Sequence, residues 1–119
     1  MGNSRESELM APYIAVDLDG TLAEYHGYVS HTHIGKPIPK MVNRVVEWLD
    51  NGAVVKIFTA RAAESDPKKR VEALNAIAEW SLDVFGVALP VTCIKDYGMI
   101  RLYDDRATQV RFNTGELVQ

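Results

Sequence analysis

Residues 13–22 read Tyr-Ile-Ala-Val-Asp-Leu-Asp-Gly-Thr-Leu, an apolar run that ends in two carboxylates and a glycine. An uninterrupted apolar run of this length is typical of a buried strand. Asp17 and Asp19 lie two positions apart, so both can face one site where the strand ends. Two anions at that separation repel each other unless a cation is bound nearby. The stretch therefore predicts a strand that brings two carboxylates to a cation-dependent site.

Further strands and two helices are predicted downstream of this strand. Apolar runs of strand length predict strands at residues 13–16, 53–58, 91–94 and 100–103. One helix is predicted to begin at Pro39 and to stop before Gly52, because proline suits a first helical turn and glycine a helix end. A second helix is predicted from Pro67 to Gly86, with apolar residues at helical spacing.

The alternation of strands and helices predicts an α/β fold. Such alternation is typical of a parallel sheet with covered faces, so we expect a three-layer, Rossmann-like sheet. In these sheets ligands bind beyond the carboxyl ends of the strands. The predicted strands end at Asp17, Thr59, Lys95 and the pair Asp104 and Asp105. The fold would thus gather a hydroxyl, an ammonium and several carboxylates at one edge.

Length and composition favour one domain in a reducing compartment. The chain has 119 residues, 47% of them hydrophobic, which suits a single core. We expect residues 1–10 to be a flexible polar lead-in and residues 11–119 to form the domain. The formal net charge of -3 gives no general attraction to nucleic acids or anionic membranes. Cys93 is the single cysteine, and no apolar run is of membrane-spanning length, so we expect a cytoplasmic protein without a membrane partner.

Two segments lack a clear hydrophobic periodicity of either helix or strand. Residues 22–37 hold two glycines, three histidines and two tyrosines, and we expect a turn with a small hairpin there. His31 and His33 resemble half of a zinc site, but no third ligand accompanies them, so we expect them to line the entrance of the site instead. Residues 110–118 suggest a terminal hairpin or a loose edge strand.

The donor set at the predicted edge favours a hard cation. Asp17, Asp19, Asp104 and Asp105 offer oxygen atoms alone, and Mg2+ suits an oxygen-lined site that must also accept phosphate. With the metal bound, one motif aspartate can attack phosphorus and form an aspartyl-phosphate. The other can protonate the leaving oxygen and later take a proton from water.

Residues beside this pair fit supporting roles. Gly20 lets the backbone turn sharply, Thr59 can donate a hydrogen bond to a phosphoryl oxygen, and Lys95 can offset the charge of the pentacoordinate state. Each has a simpler interpretation: a turn for the Asp-x-Asp-Gly stretch, a backbone hydrogen bond for Thr59, a solvated lysine, and a helix cap for Asp104 and Asp105. Each simpler interpretation requires its own coincidence at the same edge of the sheet. Taken together, these residues therefore favour a catalytic site.

Residues 13–112 resemble the haloacid dehalogenase superfamily of phosphotransferases. Residues 16–22 are similar to its first motif, a strand ending in Asp-x-Asp-Gly-Thr. Similarity to the second, third and fourth motifs is found at residues 58–59, at Lys95 and at residues 103–106.

The resemblance implies that Asp17 is the nucleophile and a metal ligand. It also implies that Asp19 is the acid/base and ligates the metal through its backbone carbonyl, and that Asp104 and Asp105 contact the metal. Dehalogenases lack an acid/base at the position of Asp19 and transport ATPases carry threonine there, so the chain looks like a phosphatase.

The intervals between these motifs are too short for a cap domain, so the chain resembles a capless, minimal member. An open site suits a macromolecular substrate or a homo-oligomer whose neighbour supplies a lid. Residues 58–61 and 104–110 are also similar to phage polynucleotide 3'-phosphatases. We expect the substrate to contact Gly20, Thr21, Ala60, Arg61, His31 and His33.

The resulting hypothesis is a Mg2+-dependent phosphomonoester hydrolase with a nucleotide or a nucleic-acid 3'-phosphate end as substrate. Two alternatives stay open. One is a phosphatase of a small sugar or metabolite phosphate, and the other is a non-catalytic module that binds Mg2+ and phosphate.

Overall fold

The computed structural model describes residues 11–118, so the predicted lead-in at residues 1–10 lies outside the described part. In chain order the elements are β1 (Tyr13–Asp17), α1 (Pro39–Asp50), β2 (Val55–Phe58), a 3-10 helix (Ala60–Ala63), α2 (Pro67–Phe85), β3 (Val91–Thr92) and β4 (Met99–Tyr103). The strands form one sheet in the order β3-β2-β1-β4, and every pair is parallel. The predicted α/β class with a parallel sheet is confirmed.

The two helices begin and end where local signals predict. Pro39 opens α1, and Gly52 follows its end with a φ of 84° that favours glycine. The Asp66 side chain accepts hydrogen bonds from the backbone N–H groups of Lys68 and Lys69 and so caps α2. Gly86 ends α2 in the left-handed conformation.

Both helices pack on the same face of the sheet. Val16, Val55 and Ile57 point to one side because they alternate with their strand neighbours, and all three are buried. They share one apolar cluster with Met41 and Val45 of α1 and Ile77 of α2. The connections β1-α1-β2 and β2-α2-β3 step in the same direction along the sheet, so a common right-handed crossover places both helices on one side.

The described residues form a helix layer and a sheet layer, which is compatible with a Rossmann-like sheet but does not show the third layer that we expected. A third layer would require a helix in the connection from β3 to β4, where the chain reverses its direction across the sheet. That connection is residues 93–98, and it contains no helix.

Residues 93–98 instead cross the other face of the sheet. The N–H of Tyr13 donates to the carbonyl of Gly98 at 2.8 Å, and the Tyr13 hydroxyl donates to Asp96 at 2.8 Å. The Lys56 ammonium lies 4.1 Å from the centre of the Tyr13 ring. Burial and the bond to Asp96 raise the pKa of Tyr13 to about 12. The crossing thus covers the start of β1 and leads directly into β4.

Isolated β-bridges order the two segments that lie outside helices and strands, one after β1 and one after β4. Residues 24–36, called the flap below, begin and end side by side, because Glu24 N–H donates to the Lys36 carbonyl at 2.8 Å and Ala23 pairs antiparallel with Pro37. The C-terminal segment turns back through an antiparallel bridge between Val110 and Leu117, so the hairpin prediction holds in minimal form. Within residues 11–118 no helix has the length and hydropathy needed to cross a membrane.

Candidate active site

The carboxyl edge of the sheet carries a cluster of three carboxylates. β1 ends with Asp17, and β4 beside it is followed by Asp104 and Asp105. One carboxylate oxygen from each lies within 4.8 Å of the others. Asp17 and Asp104 are half-buried and Asp105 is exposed. The structure thus brings together three of the four residues predicted as metal ligands.

Burial and the neighbouring carboxylates both disfavour the charged form of Asp17. Burial, the charge of Asp104 and a hydrogen bond with Asp105 raise the pKa of Asp17 from 3.8 to about 7. The half-buried carboxylate would therefore hold a proton near neutral pH unless a cation replaced it. A site of carboxylate oxygens suits a hard cation such as Mg2+, so the residues present fit the predicted metal.

Gly20 and Thr21 fix the distance between the motif turn and the acidic pair. Gly20 has a φ of 89°, and a Cβ atom built there would lie 2.7 Å from Oδ2 of Asp105. The Thr21 hydroxyl donates to Oδ1 of Asp105 at 3.0 Å and accepts from the Asp105 N–H at 3.0 Å. These two residues, predicted to contact substrate, hold Asp105 beside Asp17.

The Asp19 side chain is not part of the carboxylate cluster and pairs with Arg61 instead. Its two oxygens accept hydrogen bonds from Nε and Nη2 of Arg61, each at 2.9 Å. A paired fork of this kind is among the stronger side-chain interactions. Sequence spacing suggested that Asp17 and Asp19 share one site, and it gave no sign of this partner. Metal contact through the Asp19 carbonyl stays a prediction.

Thr59 and Ala60 form the start of the 3-10 helix after β2. The Thr59 side chain is almost fully buried, and its oxygen accepts the Arg61 N–H at 3.1 Å. This is the kind of backbone hydrogen bond that the simpler interpretation of Thr59 anticipated. Ala60 is exposed at the same turn. Asp104 combines roles similarly, since Oδ1 accepts the Arg106 N–H at 2.9 Å.

Lys95 does not lie at the end of a strand. β3 ends at Thr92, and Lys95 falls in the crossing of residues 93–98, where it is exposed and pairs with no carboxylate of residues 11–118. Lys40 and Arg44 of α1 line an open groove together with Asp104 and Asp105. The sequence analysis did not identify Lys40 and Arg44. Basic residues near the start of a helix are unfavourable, because they lie at the positive end of its dipole, and this placement is a signal that the sequence does contain.

The flap forms a cavity over Asp19 and Arg61. A cavity of about 470 Å3 is lined by Asp19, Arg61 and flap residues that include Tyr28 and His33. A second cavity of about 190 Å3 is lined by the same pair and by His31. The predicted positions of His31 and His33 near the entrance are thus compatible with contact to a leaving group.

Two contacts attach the flap to α2. His31 Nε2 lies 3.3 Å from a carboxylate oxygen of Glu72, and Trp80 Nε1 donates to the Gly35 carbonyl at 3.0 Å. In the described part of the chain, the potential metal ligands that cluster are the three aspartates and not the flap histidines.

Comparison with known proteins gives no relative: no family model, no curated protein and no solved structure matches this chain.

Proposed function

We propose that this protein is a Mg2+-dependent phosphomonoester hydrolase of the haloacid dehalogenase type, which acts through an aspartyl-phosphate on Asp17. The observation that carries the proposal is the cluster of Asp17, Asp104 and Asp105 at the carboxyl edge of a parallel sheet. Ligands bind at this edge in open α/β sheets. The raised pKa of Asp17 supports a cation there, because burial and the neighbouring carboxylates otherwise leave its negative charge uncompensated.

Asp17, Asp104 and Asp105 would hold the metal. When bound, Mg2+ would offset the negative charge of the carboxylates and of the phosphoryl group.

The chain's own residues then divide the work. An Asp17 oxygen attacks phosphorus, the bond from phosphorus to the leaving oxygen breaks, and Asp19 gives that oxygen its proton. Water next attacks the aspartyl-phosphate, Asp19 takes a proton from it, and Asp17 is regenerated as phosphate leaves. The Thr59 hydroxyl lies behind the turn that carries Arg61 and can donate to a phosphoryl oxygen.

The flap cavity supports a leaving group of moderate size. Its volume of about 470 Å3 falls in the range of small-molecule sites. Nucleotides, nucleic-acid 3'-phosphate ends and sugar phosphates all remain candidate substrates. Tyr25 and Tyr28 line both cavities and are at least half exposed, which favours a leaving group with a planar ring.

A second candidate function is a binding module that holds Mg2+ and phosphate without turnover. The Asp19–Arg61 pair favours it, because the acid/base carboxylate is engaged with a guanidinium in this structure.

Hydrolysis of an aryl phosphate by the full chain separates the two candidates. We expect turnover with Mg2+, none with EDTA, and a complete loss in Asp17→Asn, since an amide cannot attack phosphorus. Asp50→Asn, at the end of α1, is the matched control and should retain full activity. Asp19→Asn should lower turnover of an alkyl phosphate about 10²–10⁴-fold and that of the aryl phosphate much less, because a good leaving group needs no acid. Binding of Mg2+ and phosphate without turnover would establish the binding module instead.

A further inference from the structure

Arg61 uses all three nitrogens of its guanidinium. Nε and Nη2 bind the two oxygens of Asp19 at 2.9 Å, and Nη1 donates to the His31 carbonyl at 3.2 Å. The Arg61 and Asp19 side chains are only 16% and 24% exposed. One side chain thereby connects the candidate acid/base with the flap.

The same pair lines two cavities. Asp19, Arg61, Tyr25 and Tyr28 line both the cavity of about 470 Å3 and the cavity of about 190 Å3. An anion that enters either cavity therefore meets the guanidinium, with the Asp19 carboxylate as its competitor.

A phosphoryl group is suited to take the place of Asp19. Its oxygens match the fork of the Nε and Nη2 donors as a carboxylate does. Exchanging one anion for another keeps the desolvated guanidinium compensated, whereas simply breaking the pair would leave a poorly solvated charge unpaired. The bond from Nη1 to the His31 carbonyl keeps the guanidinium in place during this exchange.

We propose that Arg61 is a phosphate-responsive positioning residue: the phosphoryl group of the ligand displaces Asp19 from Arg61 and so frees the Asp19 carboxylate to face the leaving group. This inference rests on the proposed function for the role of Asp19, but the exchange itself is a binding event. It also explains how a carboxylate that is engaged in this structure becomes available once substrate is present.

Binding of inorganic phosphate to the full-length, Mg2+-saturated protein, measured by calorimetry, tests the exchange. Asp19→Asn removes the competing anion and should tighten phosphate binding about five-fold or more, whereas Arg61→Gln should weaken it. In the Arg61→Gln background, adding Asp19→Asn should give little tightening, because no guanidinium is left to release. Arg61→Lys restores a cation without the two-donor fork and should restore only part of the coupling.

Glu24→Gln is the matched control, because Glu24 lines the larger cavity but does not pair with Arg61. It removes the same charge and should change phosphate affinity less than Asp19→Asn does. Equal tightening by Asp19→Asn with and without Arg61, or none at all, would overturn the exchange.

The two proposals fail in different ways. Aryl phosphate hydrolysis by the unaltered protein without coupling between residues 19 and 61 refutes the exchange and leaves the hydrolase standing. Coupling in phosphate binding without any hydrolysis supports the exchange and refutes the hydrolase.

Discussion

At the scale of single residues, Gly20 controls the geometry of the carboxylate cluster. Its φ of 89° costs an ordinary residue about 1–3 kcal/mol of backbone strain. In addition, a Cβ atom there would meet the Asp105 carboxylate, with its nearest oxygen at 2.7 Å. The backbone strain acts on the stability of the fold, whereas the contact with Asp105 acts on the candidate metal site.

Gly20→Ala should therefore weaken Mg2+ binding about ten-fold, equivalent to roughly 1.4 kcal/mol, beyond its loss of thermal stability. Gly52→Ala is the matched control, because Gly52 also has a positive φ of 84° but has no atom within 4 Å of a Cβ. Calorimetric titration with Mg2+ and thermal unfolding separate the two effects. Similar Mg2+ affinities in the two variants would show that Asp105 moves aside freely.

The sequence predicted which residues follow the strands, but it did not predict the hydrogen-bond partners of their side chains. Asp17 and Asp104 were predicted to meet because parallel strands end at a common edge. The pairing of Asp19 with Arg61 joins residues 42 positions apart, and strand and helix periodicity carry no information on such contacts. The predicted end of a strand at Lys95 was wrong, because β3 has only two residues and ends at Thr92.

At the scale of elements, the flap is the segment that can select substrates. It is attached to α2 through Glu72 and Trp80, and its residues 24–29 and 33–36 line the larger cavity beside Asp19. Gly35 packs so tightly against the Glu24 carbonyl that any Cβ there would collide with it. The base of the flap is thus closely packed, while the Tyr28 side chain is 76% exposed.

Replacing Tyr28 or His33 with Ala should change the ratio of kcat/KM between a nucleotide and a small aryl phosphate about three- to ten-fold. The physical reason is the loss of contacts with the leaving group, each ten-fold step being about 1.36 kcal/mol. Tyr97→Ala removes a fully exposed ring from the β3-β4 crossing and serves as the control. A uniform loss on both substrates would assign these flap residues to folding.

The layer arrangement shows the limit of element-level prediction. Alternating strands and helices correctly indicated a parallel sheet, but they do not say on which face a helix lies. That depends on strand order, and the strand order shows two crossovers in the same direction. A helix on the opposite face would have to lie between β3 and β4, and residues 93–98 are too few to form one.

At the scale of the whole molecule, the carboxylate cluster should make stability depend on pH and metal. The pKa of Asp17 is raised to about 7 in the folded state from an ordinary value of 3.8. The folded state therefore binds this proton more tightly than the unfolded chain. The associated stability is complete below about pH 4 and is lost as pH rises through about 7.

We expect the metal-free protein to have a lower melting temperature at pH 8 than at pH 6, and Mg2+ to reverse the loss at pH 8. Asp17→Asn should reduce both the pH dependence and the response to Mg2+, whereas the exposed control Asp50→Asn should keep both. Scanning calorimetry with and without EDTA measures these shifts. Identical pH profiles for the unaltered protein and Asp17→Asn would contradict the role assigned to this repulsion.

The position of β4 beside β1 has a consequence for the order of events during synthesis. Asp17 leaves the ribosome early, but its partners Asp104 and Asp105 follow β4, the last strand of the sheet. The nascent chain can assemble β1, β2 and both helices before these partners exist. We expect the carboxylate cluster to form only once β4 has paired with β1, because two of its three members follow β4. A growing chain would therefore not meet the repulsion of the full acidic cluster until β4 has been synthesised.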